Sequence, residues 1–179
     1  MPRKADPRLE KAIISAATRL LDKHGLEAVT IRDVAKAAGT TTPTLYERFR
    51  DRDALLMGVL DRIAYDMVGR MERTKSVQAI GEVFLDYCAR YPNRFDLLHR
   101  VWPPTLPTNR RRPTYELAVR RLQSEFGHSL KDAQAIASSM MAILLGTSVF
   151  MLGSGTKSEF AKTSRRIGLR AFKAISKGI

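Results

Sequence analysis

The stretch Thr30–Phe49 constrains the fold of this chain more than any other, because it holds the start and stop signals of two short helices. Thr30 and Asp33 have the spacing of a capping box, in which the hydroxyl accepts the N–H three residues on and the carboxylate reaches back. Apolar residues then recur at helical spacing, at Ile31, Val34, Ala35 and Ala38. Gly39 follows, where a left-handed residue commonly ends a helix. The pattern predicts a first helix that ends at about Ala38.

A second short helix is predicted directly after this turn. Thr41 or Thr42 can cap it, and Pro43 falls in its first turn, where no backbone N–H is needed. Leu45 and Phe49 are four residues apart and are expected to face the first helix. The other side chains are expected to be exposed: Thr42, Pro43, Thr44, Tyr46 and Arg48. Two short helices around a Gly-containing turn are typical of a helix-turn-helix, whose second helix enters the major groove of DNA.

A resemblance to a known family is carried by two runs, V-T-I-R-D-V-A-K-A-A-G and P-T-L-Y-E-R-F-R-D-R-D-A-L-L. They resemble the N-terminal domain of TetR-type (tetracycline-repressor-like) transcriptional regulators. The similarity extends over roughly Leu9–Leu60, and beyond it only the helical layout and the length are similar. It implies an all-α chain with a three-helix helix-turn-helix head, a long connecting helix, and a C-terminal helical domain that binds a ligand and dimerises.

The resemblance also implies roles for single residues of the head. Thr30 and Tyr46 match positions that hold the DNA backbone, and Arg32 and the Thr42–Thr44 segment match positions that approach base edges. Arg52 stands where the family usually has a phosphate-contacting Lys. The sequence departs from the family pattern at Thr40, Pro43 and Arg52. The predicted DNA-binding residues are Thr30, Arg32, Thr41, Thr42, Pro43, Thr44, Tyr46, Arg48 and Arg52.

An ordinary solvated helix face is the alternative for these polar residues. Pro, Thr and Tyr are not the residues that such a face favours, so DNA contact is the preferred interpretation. In it, Tyr46 and Arg52 bind phosphate and confer salt dependence, while Arg32 and Thr44 read sequence.

The net charge of the chain is +13, which suggests a polyanionic partner. Residues 1–74 contain 14 basic and 11 acidic residues, a net charge of +3, whereas residues 75–179 contain 17 and 7, a net charge of +10. Most of the excess therefore lies outside the helix-turn-helix, whose prediction depends on pattern and not on charge. With 44% hydrophobic residues the chain can bury a core, so disorder is not expected.

Other features of the sequence point to a cytoplasmic protein. Cys88 is the single cysteine, which excludes an intramolecular disulfide and suits a reducing compartment. The N-terminus has no apolar segment of the kind found in signal peptides. The longest apolar run, Met140–Leu152, is interrupted by polar and small residues and is too short to span a bilayer. We therefore expect no membrane partner.

The chain divides by its helix signals into two domains. Residues 1–50 form the helix-turn-helix domain, which opens with a helix that begins at Asp6 and Pro7 and stops at Gly25. Asp51 can cap a helix that runs to about Arg73, about 30 Å in length, and connects the two domains. Residues 76–179 form the helical effector-binding and dimerisation domain. We find no strand signal.

Within the second domain, prolines and glycines set the expected limits of the helices. A helix starts at Ser76 and ends near Tyr91, because Pro92 follows. A short helix covers Asn93–Val101, and Pro103–Pro113 is predicted to be a loop, since it holds four prolines and three arginines. Three further helices are predicted, over Thr114–Phe126, from Ser129 or Leu130 to Leu152, and over Ser158–Ser176.

A ligand cavity within this domain is predicted from its aromatic and methionine residues, because ligand pockets are mostly apolar and Met is adaptable. Ordinary core packing is the commoner role for any single one of them. Trp102 is the favoured member, since it precedes the loop. The candidates are Phe84, Tyr87, Cys88, Phe95, Trp102, Tyr115, Met140 and Leu144.

A homodimer is predicted because the last two helices carry more apolar surface than a small domain easily hides. The resemblance implies that these two helices pair with those of a second copy in a four-helix bundle. An intrachain core is the alternative. The candidate interface residues are Met141, Phe150, Met151, Ile167 and Ala171.

Two basic segments, Arg110–Arg112 and the last helix, allow three interpretations. They can bind an anionic effector, contact DNA without reading its sequence, or serve as solubilising charge, which is the preferred interpretation.

No enzyme or metal chemistry is indicated. His24, His99 and His128 are far apart and have no carboxylate or cysteine at metal-ligand spacing. Cys88 falls in an apolar stripe without a nearby base, whereas a redox sensor needs an exposed thiol of low pKa. We therefore expect neither a metal nor a cofactor.

The sequence as a whole predicts a dimeric, ligand-responsive regulator, a repressor bound to a palindromic operator in double-stranded DNA and released by a small molecule. One alternative is a non-specific architectural DNA-binding protein, which the charge favours. Another is a ligand-binding or enzymatic helical domain with a vestigial head, against which the complete helix-turn-helix pattern argues.

Overall fold

The structure, a computed structural model, describes residues 7–105 and 113–178, and for residues 101–105 it describes the backbone alone. The described part is all-α, as predicted. A single 3-10 turn, Leu26–Ala28, follows the first helix. The helices are α1 Pro7–His24, α2 Ile31–Ala37, α3 Thr42–Tyr46, α4 Arg52–Met71, α5 Val77–Arg90, α6 Pro92–Thr105, α7 Pro113–Phe126, α8 Leu130–Gly153 and α9 Glu159–Ser176.

The chain divides into two compact units. The first contains residues 1–63 and 93–106, and the second contains residues 64–92 and 107–179. Residues of α4 therefore belong to both units. This division groups α6 with the helix-turn-helix, whereas the predicted second domain, residues 76–179, includes that segment.

The first unit has a core formed by the apolar stripe of α1 and the two short helices. Ile13, Leu21 and Leu45 are fully buried, and Phe49 is 7% exposed. Leu45 and Phe49 thus face inward, as predicted. α3 ends at Tyr46, so Phe49 lies beyond the helix.

The start of α6 is attached to the end of α1 by polar contacts within the first unit. Arg94 donates two hydrogen bonds to the carboxylate of Asp22, both at 2.7 Å, and Asn93 donates one to the Asp22 carbonyl oxygen at 3.1 Å. A bidentate arginine–carboxylate pair fixes orientation as well as distance. These long-range contacts explain why α6 groups with the N-terminal helices.

The predicted end of α6 at Val101 is wrong, because the helix continues through Pro103 and Pro104 to Thr105. The fixed φ of proline, near −65°, lies in the helical range, but neither proline has a backbone N–H to donate to the preceding turn, so this last turn has fewer helical hydrogen bonds. The predicted loop therefore starts later than expected. Its remaining part, with Arg110–Arg112, lies outside the described residues, as does the N-terminal segment Met1–Ala5.

In the second unit, α8 and α9 pack closely through a glycine. A β-carbon placed on Gly168 of α9 would lie 2.2 Å from the hydroxyl oxygen of Thr147 on α8. A real β-carbon does not approach another atom so closely, so only glycine fits this position. Gly81 of α5 likewise leaves room for a neighbour: a β-carbon placed there would lie 3.0 Å from the ring of Phe172 on α9, which is 1% exposed.

The connection between α4 and α5 is held by two side chains of α7. Arg121 donates hydrogen bonds to the carbonyl oxygens of Glu72, at 3.2 Å, and Thr74, at 2.8 Å. Glu125 accepts the backbone N–H of Val77, the first residue of α5, at 2.6 Å. Carbonyl and N–H groups at helix ends lack partners within their own helix, so α7 satisfies both ends of this connection.

The expectation that the apolar segment around Met140–Leu152 is too short to span a bilayer is wrong for the whole of α8. This helix has 24 residues, extends beyond Met140–Leu152 at its N-terminal side, and is long and apolar enough by composition to cross a membrane. The predicted start at Ser129 or Leu130 is confirmed, because α8 begins at Leu130 and its N-cap Ser129 accepts the backbone N–H of Asp132. About a third of its most apolar window, 33%, is buried inside the chain, against α5, α7 and α9.

Candidate nucleic-acid interface and ligand cavity

The N-terminus of α2 is capped as the sequence predicts, with one difference. The Thr30 hydroxyl oxygen accepts the backbone N–H of Asp33 at 3.1 Å, and Thr30 has an extended backbone. The Asp33 carboxylate accepts a hydrogen bond from the Thr30 hydroxyl, with 2.6 Å between the two oxygens. In a capping box it would instead accept one from the Thr30 backbone N–H. Gly39 has a φ of +65°, as the left-handed residue after α2 requires.

The cap of α3 is Thr41, one of the two candidates. Its hydroxyl oxygen accepts the N–H of Thr44 at 3.4 Å, and the hydroxyl oxygens of Thr41 and Thr44 lie 3.0 Å apart in a hydrogen bond. Pro43 occupies the first turn. This network holds the Thr44 side chain toward the N-terminus of α3, the end of a recognition helix whose residues contact base edges.

The exposure of the predicted DNA-binding residues differs from one to the next. Arg32, Thr41 and Pro43 are exposed, and Tyr46 is 57% exposed although it is large and aromatic. Five side chains after the turn were predicted to be exposed, and the prediction is wrong for three of them, which are half-buried at the edge of the packed face: Thr42, Thr44 and Arg48. The Nε atom of Arg48 is buried without a hydrogen-bond partner among the described residues.

Arg52 has a different environment from the one that a phosphate ligand needs. Its Nε donates to the carbonyl oxygen of Val29 at 2.7 Å, and its Nη2 donates to that of Leu26 at 2.8 Å. The side chain is half-buried, and two of its three guanidinium nitrogens are engaged by the protein. Arg52 therefore braces the segment immediately before Thr30.

A small apolar cavity lies in the second unit, with a volume of about 20 Å³. This volume holds roughly one water molecule, whereas pockets for drug-sized ligands measure roughly 300–1,000 Å³. Phe84, Met140 and Leu144 line it, and all three were predicted ligand-binding residues. Further lining residues lie on other helices and were not predicted, because nothing in the sequence separates them from ordinary core residues: Met71, Thr114, Ala118 and Phe172.

The other predicted ligand-binding residues lie elsewhere. Tyr87 is buried, and its hydroxyl donates to Asp66 of α4 at 3.0 Å. Tyr115 donates to the Gln134 carbonyl oxygen at 3.0 Å. Phe95 belongs to the first unit, so it does not contribute to this cavity. Trp102 lies in α6, but its side chain is outside the described part of the structure.

Cys88 is in the core, as its apolar stripe predicts. It is 2% exposed, and burial raises the pKa of its thiol to about 12. A buried thiol that stays protonated is a poor nucleophile and a poor redox sensor. Among the described residues, no group of three His, Cys, Asp or Glu side chains is placed to hold a metal ion.

An apolar surface is exposed along α8 and α9. Phe150 is 59% exposed and Ile167 58%, and the ring of Phe150 meets that of Phe160 edge-on with centroids 6.0 Å apart. Of the predicted interface residues, Met151 is wrong, because it is 3% exposed and packs inside its own chain. Met141 and Ala171 are half-buried, and Met141 lines the cavity.

Comparison with known proteins identifies a matching family and similar proteins. Residues 13–59 match the family described as "Bacterial regulatory proteins, tetR family". The chain is 33% identical over 89 residues to the HTH-type transcriptional repressor ComR of Escherichia coli, a match that covers 47% of this chain and 41% of ComR. It is 31% identical over 143 residues to the tetracycline repressor protein class D of Escherichia coli, covering 76% of this chain and 63% of that repressor. The chain thus spans less than half of ComR and less than two thirds of the class D repressor.

Solved structures extend the similarity to the whole fold. A TetR variant from Acinetobacter baumannii AYE, solved in complex with minocycline, has a TM-score of 0.71 at 21% identity, and the match covers 98% of this chain and 96% of that one. BioQ, solved with its natural double-stranded DNA operator, has a TM-score of 0.69 at 20% identity over 95% of this chain and 98% of its own. At these identities the likeness establishes the fold alone.

Proposed function

We propose that this chain is a ligand-responsive, sequence-specific DNA-binding regulator of the TetR family and not an enzyme. The match of residues 13–59 to that family and the 31% identity to the class D tetracycline repressor support the assignment, and the shared fold agrees with it. It is a repressor that binds a palindromic operator in double-stranded DNA as a homodimer, and a small-molecule effector releases it. It needs no cofactor and acts in the cytoplasm, where its DNA is.

One observation carries this proposal: within the matched residues, α3 begins with a capped N-terminus and presents exposed Pro43 and Tyr46 directly after the turn that ends α2. A recognition helix contacts base edges with the residues of its N-terminal part. We assign operator reading to Arg32 and Thr44 and backbone contact to Thr30 and Tyr46. Arg52 acts mainly by holding the segment before Thr30.

Residues 76–179 are proposed to bind the effector and to form the dimer, and residues 1–50 to bind DNA, with α4 as the connection. The cavity lined by Phe84, Met140 and Leu144 is the effector site that we favour. Its volume of about 20 Å³ means that an effector enters only if the surrounding helices separate. The related TetR variant is solved with minocycline, which supports a small molecule as the class of effector.

The homodimer is proposed to form through α8 and α9. Phe150, Phe160 and Ile167 are large apolar side chains that are each more than half exposed, and contiguous exposed apolar surface marks an interaction site. A helix-turn-helix protein needs two copies to read a palindrome, because the half-sites lie one helical turn or a multiple of it apart. The length and apolarity of α8 are explained by this interface without a membrane.

Release of the operator is proposed to follow from the thermodynamic linkage of two sites. The effector is proposed to bind more tightly to the conformation that does not bind the operator. It then lowers the affinity for DNA by the same factor by which DNA lowers the affinity for the effector. Met71 at the end of α4 lines the cavity, and Arg121 and Glu125 of α7 hold the connection that follows it. Separation of α7 from α4 by a ligand would therefore act on α4, which contributes residues to the first unit as well.

The experiment that tests the proposal is an in vitro selection from random duplex DNA by the purified protein at near-physiological salt. Enrichment of an inverted repeat is the expected result and establishes a sequence-specific dimer. The enriched duplex then serves as the probe in a screen for effectors that displace it. Uniform recovery that collapses as salt rises would instead identify a non-specific architectural protein and overturn the proposal.

A further inference from the structure

Five basic residues form a narrow row on the surface of α9, which we call the α9 stripe: Lys162, Arg166, Arg170, Lys173 and Lys177. All five are exposed, and Lys177 is the C-cap residue of α9, with an αR backbone that continues the helical geometry. At 100° and 1.5 Å per residue they occupy an arc of about 80° and a length of about 22 Å. The stripe is thus a straight, convex row of positive charges.

Most of the stripe has no compensating charge. Lys162 pairs with Glu159, and Arg165, which lies off the stripe, pairs with Asp86 at 2.9 Å. In the part of the chain that the structure describes, no ion pair joins an acidic side chain to any of the other four stripe residues. This fits the distribution of charge in the sequence, where residues 75–179 carry +10 of the total of +13.

Solvation alone does not explain this arrangement. A solvated helix face usually alternates the sign of its charges, and like charges four residues apart destabilise a helix. The stripe has three such pairs: Lys162 with Arg166, Arg166 with Arg170, and Lys173 with Lys177. The helix dipole favours Lys173 and Lys177 at the C-terminus, but it does not favour Arg166 and Arg170 in the middle.

We propose that the α9 stripe is a second DNA-binding surface, which contacts the phosphates of duplex DNA without reading their sequence. Duplex DNA presents one negative charge per roughly 1.7 Å of its axis, so a straight row of cations about 22 Å long meets many phosphates at once. A compact anionic effector would need charges that converge in a concave site, whereas those of the stripe diverge from a convex helix. Phosphate contact therefore adds affinity for any duplex, in addition to operator reading by the head.

An anionic membrane surface is the competing partner, because Phe160 and Ile167 are exposed on the same helix. Basic helices with such residues can lie in a bilayer interface. DNA is favoured because the two apolar side chains continue the exposed apolar surface of α8, where Phe150 contacts Phe160. Under the proposed dimer they are covered by the second copy, while the stripe stays accessible.

The test compares two full-length variants that lose the same charge. The stripe variant carries Arg166→Gln, Arg170→Gln and Lys173→Gln. The control variant carries Lys75→Gln, Lys131→Gln and Lys157→Gln, which remove three exposed cations of the second unit outside the stripe. Binding of each protein to a labelled duplex of random sequence is measured by fluorescence anisotropy over a range of salt concentrations, and circular dichroism verifies that both variants are folded.

We expect the stripe variant to bind the random duplex about tenfold or more weakly at low salt. The slope of log affinity against log salt should fall by about two to three, since each phosphate contact contributes about 0.9. The control variant should stay within about twofold of the wild type. A variant with Arg166→Lys and Arg170→Lys should also bind like the wild type, because phosphate contact needs charge more than shape.

Three results would overturn the proposal. Equal losses in the stripe and control variants would show that net charge alone acts, and an unchanged slope in the stripe variant would show that the stripe makes no phosphate contact. Tighter binding to vesicles of phosphatidylserine and phosphatidylcholine than to DNA, lost in the stripe variant, would identify a membrane partner. Sequence selection by the stripe variant is measured separately. Retained selection with weaker random binding separates this proposal from operator reading by the head.

Discussion

Arg52 Nε donates a hydrogen bond to the carbonyl oxygen of Val29 at 2.7 Å, so the first residue of α4 holds the residue that precedes the N-cap of α2. Because the same guanidinium also binds Leu26, the 3-10 turn and the start of α2 are fixed together. The position of Thr30 therefore depends on a side chain outside the helix-turn-helix.

Replacing Arg52 by Lys tests whether the residue acts as a brace or as a phosphate ligand. An ammonium group keeps the charge but cannot span two carbonyl oxygens as the planar guanidinium does. We expect operator affinity to fall about five- to tenfold, corresponding to about 1–1.5 kcal/mol of lost hydrogen bonding, with an unchanged salt slope. Operator titrations at several salt concentrations measure both quantities.

The matched control is Arg50→Lys, because the Arg50 side chain is 91% exposed and pairs only with its neighbour Asp51 among the described residues. This variant should bind the operator like the wild type. If Arg52→Lys also binds normally, and Arg52→Gln lowers the salt slope by about one, Arg52 is a phosphate ligand after all.

Arg32→Ala tests base reading by α2. Arg32 is exposed, and an arginine contact to a guanine is worth about 1–3 kcal/mol of discrimination against other bases. We expect selected sequences to lose preference at one position of each half-site while preference elsewhere persists. Selection followed by sequencing measures this. Lys23→Ala, an exposed change at the end of α1, serves as the control, and an unaltered motif in Arg32→Ala would refute the assignment.

Arg121→Met should destabilise the second unit, since it removes the hydrogen bonds to Glu72 and Thr74 and leaves those carbonyl oxygens without them. The expected loss in the free energy of unfolding is about 1–3 kcal/mol, measured by urea denaturation at fixed protein concentration. Arg120→Met is the control: its pair with Glu72 spans 4.0 Å between exposed side chains and should be worth less than about 1 kcal/mol. Equal losses would mean that α7 does not hold the connection.

Gly168→Ala should separate α8 from α9. The new β-carbon would lie 2.2 Å from the Thr147 hydroxyl oxygen, and overpacking of this kind costs about 1–3 kcal/mol. Gly69→Ala in α4 meets no atom within 4 Å and should be neutral or stabilising by up to about 1 kcal/mol. Thermal unfolding of both variants decides the matter, and a normal melting temperature for Gly168→Ala would contradict the packing described.

The Cys88 thiol should lower stability at alkaline pH. Burial raises its pKa from 9.0 to about 12, so the folded state keeps its proton after the unfolded state has released it. The contribution is fully present below pH 9 and decreases by about 1.4 kcal/mol per pH unit between the two pKa values. Urea unfolding of wild type and Cys88→Ala at rising pH isolates this effect, because lysines and tyrosines titrate in both. A constant difference between the two proteins would show that the thiol is not the cause.

The helix limits were predictable where the signal is local. Ser76, Ser129 and Ser158 cap their helices through hydroxyl oxygens that accept the N–H three residues on, and Asp51 accepts the N–H of Ala54 ahead of α4. Such contacts depend on residues that are close in sequence, so spacing alone identifies them.

The site was less predictable where it depends on tertiary packing. The burial of Met151 and the exposure of Phe150, which are neighbours in sequence, follow from the side of α8 that α9 covers. The half-burial of Arg48 and the bonds of Arg52 to Val29 and Leu26 join segments that no spacing rule connects. The cavity likewise combines residues of five helices, so apolar periodicity indicated its members but could not separate them from the core.

The small size of the cavity also has a kinetic consequence for any effector that uses it. A space of about 20 Å³ admits no such molecule until helices of the second unit move apart, so the rate of this opening limits the rate of association. Raising the effector concentration would then accelerate binding only up to the opening rate. Compounds that associate slowly would escape detection in a brief displacement assay. Incubation time would therefore matter as much as effector concentration in finding the natural effector.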